Sequence, residues 1–125
     1  MRNDVLFLTL KVFSATGGIE KVCRIAGKAM YENCTRYNKR LKILSMHDHQ
    51  RDAGDNLYFP TEIFTGFNVN KLQFMKRAVL QGYKSKVVIL SHINLLPAAW
   101  IIKKIRPSVK VILIVHGIEV WSPIN

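Results

Sequence analysis

The chain has 125 residues, about half of them apolar, and its 19 Lys+Arg against 8 Asp+Glu give a formal net charge of +11. That length buries enough surface for one compact domain and leaves no room for a second. So large a positive excess attracts polyanions, among which nucleic acid, anionic lipid headgroups and nucleotide phosphates all qualify.

Residues 4–10 form a short run of Val, Leu and Phe without polar alternation, the pattern of a parallel strand covered on both faces. The run is too short for the apolar core of a signal peptide, and no small-residue cleavage pattern follows it. A loop then ends in Thr16, Gly17 and Gly18, where a helix begins. From Ile19 onward, Val22, Cys23, Ala26, Ala29 and Met30 recur at three- and four-residue steps, which predicts an amphipathic helix to about residue 37. Glu20 and Arg24 stand in the favourable i,i+4 order, and Asn38 is a suitable stop. On this helix Cys23 and Cys34 lie about three turns apart, beyond disulfide reach, so reduced and partly buried thiols are expected.

Residues 41–46 predict a second strand, 48–56 a polar, solvated loop, and 61–67 a short third strand. Residues 70–82 carry Leu72, Met75, Ala78 and Val79 at helical spacing, with Lys71, Lys76 and Arg77 interleaved, and predict a helix with a strongly basic exposed side. A fourth strand follows over 86–91, a turn over 92–96, a helix over 97–105 whose Pro97 suits its first turn, and a fifth strand over 111–115. The longest apolar stretch, 87–102, is interrupted by Ser91, His92, Asn94 and Pro97, and reads as strand, turn and helix rather than as a membrane span. The alternation predicts an α/β fold: a Rossmann-like parallel sheet of order 3-2-1-4-5 with helices on both faces. The fifth strand has the composition of an interior strand with nothing after it to pair, so the sheet is expected to be incomplete at its C-terminal edge and the chain to be a fragment or truncated product.

In such a sheet ligands gather at the carboxyl ends of the strands, near the reversal of strand order. The loops after strands one, four and five hold Thr16, Gly17 and Gly18, then His92, then His116, Gly117 and Glu119. Consecutive glycines before a helix let a phosphate approach backbone N–H groups at the positive end of the helix dipole; the more ordinary explanation is a tight turn requiring positive φ. His116 follows an apolar strand and precedes a glycine, which puts its imidazole at the rim, able to donate to a sugar hydroxyl or a developing charge; the alternative is a histidine that bonds a neighbouring loop. His47 and His49 have no third ligand nearby and read as a solvated loop rather than a metal site.

Three segments carry a family resemblance: Thr16-Gly17-Gly18-Ile19-Glu20-Lys21-Val22 after the first strand, Ser91-His92 at the end of the fourth, and Val115-His116-Gly117-Ile118-Glu119-Val120-Trp121 at the end of the fifth. Together they resemble the N-terminal domain of family 4 glycosyltransferases, retaining enzymes of the GT-B fold, over nearly the whole of residues 1–125. The resemblance implies metal-independent transfer of a sugar from a nucleotide diphosphate sugar to an acceptor hydroxyl, often lipid-linked, in cell-surface polysaccharide or glycolipid synthesis and without a cofactor. It matches Gly17 and Gly18 to the donor phosphates and His116 to the catalytic histidine beside the transferred sugar. It aligns Glu20 with a frequent acid of that loop, and Thr16, His92, Gly117 and Glu119 with substrate contacts. Stabilisation of the departing phosphate would do most of the chemical work.

In that family a C-terminal domain grips the donor through a Glu-x7-Glu motif, and neither this pair nor an Asp-x-Asp motif occurs in the sequence. The donor-binding domain is therefore taken to be missing, and no transfer by the chain alone is expected. The lack of a signal peptide or a membrane span predicts a cytoplasmic protein, and the resemblance implies a place at the inner face of the membrane with Lys71, Lys76 and Arg77 against anionic lipid, the alternative being a solvated helix face. The competing reading is a basic nucleic-acid-binding or interaction module of α/β fold. Nucleic acid is the less expected partner, because no reading element or aromatic stacking platform stands out.

Overall fold

The computed structural model of the protein describes residues 4–13 and 18–114, apart from the side chain of Ile19. Strand and helix alternate as β1 (Val5–Thr9), α1 (Gly18–Arg36), β2 (Leu41–Ser45), β3 (Phe64–Gly66), α2 (Lys71–Tyr83), β4 (Val87–Leu90), α3 (Leu96–Ile105) and β5 (Lys110–Leu113). The five strands form one all-parallel sheet in the order β3-β2-β1-β4-β5. Val115, which the sequence pattern assigns to the fifth strand, lies outside the described residues.

Because strand side chains alternate in direction, β1 feeds two cores. Leu6 and Leu8 point to one face, where Phe74 and Ala78 of α2 and Ala98 and Ile102 of α3 close over them. Phe7 points to the other, into a core with Cys23 and Cys34 of α1 and Phe59 and Phe64. All three β1 side chains are fully buried, and each contributes about 1.5–3 kcal/mol by leaving water. This double cover is why the strand sequences read as continuous apolar runs. Both cysteines are free and buried.

Helix ends follow local chemistry. Asn38 takes a left-handed φ of 57°, its N–H reaches Thr35 O at 3.3 Å and the Lys39 N–H reaches Cys34 O at 2.7 Å. That paired pattern satisfies two of the last carbonyls of α1, and asparagine is one of the few residues that tolerates the required φ. At the other side of the sheet Asn70 caps α2, its side chain accepting from Gln73 N at 3.2 Å. The two residues before it, Asn68 and Val69, have φ of 50° and 66°. For a β-branched valine this conformation is strained.

Two expectations need correction. The third strand is only three residues long, because Thr61–Ile63 wind into a 3-10 turn behind Pro60, whose φ of -65° suits a turn start. The stretch from residue 48 is not simply a solvated loop: Asp48 is fully buried, and Gln50–Ala53 form a second 3-10 turn.

α2 and α3 pack against each other at a glycine. A Cβ at Gly82 would come within 2.3 Å of Ile102 Cδ1, so the contact exists only because that atom is absent. Arg106 adds a polar tie, donating to Tyr83 O with its guanidinium 6.0 Å from the Tyr83 ring centre.

Candidate functional site

Register levels the strand ends. Thr9 pairs with Ser45 and Leu8 with Leu90, and the ladder continues past the strands as His47 N donates to Leu10 O at 2.8 Å and Ser91 N to Leu8 O at 3.1 Å. Residues just beyond β1, β2 and β4 therefore share one rim, at the point where strand order reverses. A cleft of about 210 Å³ opens there, lined by Leu10, Lys11, His47, Ser91 and His92, together with Glu20 and Cys23 of α1. It is smaller than the roughly 300–1,000 Å³ of drug-sized ligand pockets and suits one compact polar group.

The loop leaving β1 is held from two sides. Asp48 Oδ2 accepts from Val12 N at 2.6 Å and from Ser45 Oγ at 2.6 Å, and its carboxylate also accepts from Phe13 N at 3.2 Å. Arg24 Nη1, from α1, donates to Val12 O at 2.7 Å. A buried carboxylate satisfied by two backbone N–H groups and a hydroxyl is a strong fixing, since charge-assisted hydrogen bonds are about twice as strong as neutral ones. Beneath it, Phe13 packs edge-on to Phe64 at 5.3 Å between ring centres and tilts against Phe59 at 5.6 Å. The path toward the glycine loop thus starts from a rigid base.

Two side chains of the cleft have defined states. His92 Nδ1 accepts from Asn94 N at 3.0 Å, so in the neutral ring the proton sits on Nε2, a donor on a cleft-lining residue. Burial pushes the Cys23 thiol above its ordinary pKa, opposed by a hydrogen bond with Ser91. Cys23 is consequently a protonated wall of the cleft rather than a thiolate nucleophile.

Of the residues singled out in the sequence, the cleft brings together His92 and Glu20. Gly18 opens α1, two residues before Glu20 and five before Cys23, without lining the cleft itself. Its φ is not positive, and among the described residues nothing lies within 4 Å of where its Cβ would be. Neither a left-handed turn nor close packing therefore demands glycine at that position. Thr16, Gly17, His116, Gly117 and Glu119 lie outside the described residues, so the convergence of the glycine loop on His116 is not on view. Lys71 and Lys76 are exposed on α2 and do not line the cleft, whereas Arg77 is half-buried. Arg77 lies beside Lys42 of β2, whose ammonium is held below its ordinary pKa first by burial and then by that guanidinium.

Lys11 lies in the loop after strand one but carries no signal of its own in the sequence, and His47, which reads there as part of a solvated loop, lines the cleft because the loop after strand two ends at the same rim. Asp48 was missed because a lone acid in a polar stretch looks solvated. Among the described residues no group of three or more His, Cys, Asp or Glu could hold a metal ion, and no helix is long and apolar enough to cross a membrane. No family model, curated protein or solved structure matches the chain.

Proposed function

We propose that the chain is the acceptor-side, N-terminal part of a retaining glycosyltransferase that uses a nucleotide diphosphate sugar, with its rim cleft forming one wall of the reaction site. The observation that carries this reading is the cleft itself: the first turn of α1, the residue after β1 and His92 after β4 meet at the reversal of strand order, where an open parallel sheet binds phosphorylated ligands. Gly18 supports it, because its backbone is open to approach at the positive end of a 19-residue helix and no local conformational need accounts for it. Lys11 adds a cation and the His92 Nε2–H a hydrogen-bond donor at the same rim. In this role the chain positions the acceptor and stabilises the leaving diphosphate.

Titration of the isotope-labelled protein with uridine diphosphate, and separately with pyrophosphate, tests the reading. Amide shifts are expected at Lys11, Gly18 and His92, and Gly18→Ala should weaken binding while leaving the melting curve unchanged or slightly higher. Shifts confined to α2 and α3, or none at millimolar ligand, would remove the transferase reading.

A further inference from the structure

From Ile63 to Ile118 the sequence contains no Asp or Glu, while Lys and Arg recur throughout. That acid-free segment includes the whole α2–α3 layer on one face of the sheet. The outward stripes of the two helices follow from their buried ones. In α2, Phe74, Ala78 and Gly82 face the core, so Leu72, Lys76 and Leu80, two positions away and about 200° around the helix, face outward. In α3, Ala98 and Ile102 are buried, and by the same offset Leu96, Trp100 and Lys104 face outward. Exposure agrees: Leu72 is 77% and Trp100 64% accessible, with Leu80 and Leu96 also exposed. Lys104 Nζ sits 5.2 Å from the Trp100 ring centre, pairing indole and ammonium at one surface point.

We infer that this outer surface docks on an anionic lipid bilayer, with Trp100 as the anchor among the headgroups and Lys76 and Lys104 as the charges that select anionic lipid. The alternation decides the occupant. Aliphatic and indole side chains set between lysines match an interface that is apolar below and negative above. A nucleic-acid backbone offers phosphates but no partner for Leu72, Leu80 and Leu96. A second copy would set one acid-free face against another, a like-charge juxtaposition. The inference differs from the sequence expectation in its residues, since Arg77 is half-buried and the anchor lies on α3. It does not depend on the transferase reading, which concerns the rim of the sheet.

Vesicles of phosphatidylcholine with a minor share of phosphatidylserine, against phosphatidylcholine alone, supply the test. A Trp121→Phe background leaves Trp100 as the sole tryptophan. Its emission should shift to the blue and be quenched by bilayer-embedded quencher only with the anionic vesicles. Lys76→Gln with Lys104→Gln should weaken partition roughly thirtyfold, the loss expected for two lysines at a charged lipid surface. Trp100→Ala should also weaken it, which adsorption by net charge would not. Lys21→Gln with Lys28→Gln, on α1 across the sheet, should change partition by no more than about twofold, as for distant screened charges. Melting curves establish that each variant is folded. The inference is overturned if Trp100 emission does not move, if the α1 pair loses as much as the α2–α3 pair, or if Lys76 and Lys104 govern binding to duplex DNA while vesicles are ignored.

Discussion

The two faces of the sheet are built by different means. On the α1 side a buried carboxylate, Asp48, and a guanidinium, Arg24, pin the backbone that leaves β1, and three phenylalanines fill the space below. On the α2–α3 side apolar surfaces interlock at Gly82 and Ile102, and polar groups are left to the edges. Polar fixings hold a short loop to a defined path at the rim, as a binding cleft requires, while close apolar packing frees the outer helix surfaces to carry whatever side chains a partner demands.

The largest expected effect breaks the polar side. Asp48→Ala removes the acceptor for the Val12 and Phe13 N–H groups and for the Ser45 hydroxyl. It should cost about 3 kcal/mol in denaturant unfolding, by the penalty for stranding buried donors. The same variant should erase diphosphate-induced shifts at Lys11, because the loop loses its fixing. On the apolar side, Gly82→Ala forces Ile102 off its contact and should cost about 2 kcal/mol, as overpacking does, with the shifts at Lys11 intact. Equal damage to the cleft from both substitutions would abolish the distinction between the faces.

Two smaller effects have the opposite sign. Val69→Gly relieves a left-handed valine at the entrance to α2 and should stabilise by about 1 kcal/mol, read as a higher melting temperature. Lys42 sharpens the contrast through pH. Its lowered pKa means the folded chain releases this proton at a lower pH than the unfolded chain does. Charged Lys42 therefore costs stability below the folded value, and that cost fades as pH rises toward the unfolded value. In Lys42→Met this contribution to the alkaline rise should be missing, and stability near neutrality should be higher by about 0.5 kcal/mol, kept small by solvent screening.

Most of the fold was legible because its signals are local and redundant. Continuous runs such as residues 5–9 and 87–90 can only be strands covered twice, and the three- and four-residue recurrence from Val22 to Met30 marks one helix face. The rim loops after β1 and β4 followed from the parallel topology. What stayed hidden depends on distant partners. Asp48 is bonded by a backbone N–H 36 positions away, and Arg77 is half-buried although its spacing assigns it to the exposed side of the helix. The left-handed Val69 contradicts its own propensity, and only the closing hydrogen bond of its N–H to Met46 O at 2.7 Å gives it a place.

The missing methyl at Gly82 also works as a ratchet stop. A screw motion of α2 by one residue, about 1.5 Å along its axis, would bring the Cβ of Gln81 or Tyr83 to the spot where Ile102 admits only hydrogen. The helices can separate, but they cannot slip past one another and stay packed. The relative placement of Lys76 and Trp100 thereby depends on a single absent carbon at Gly82.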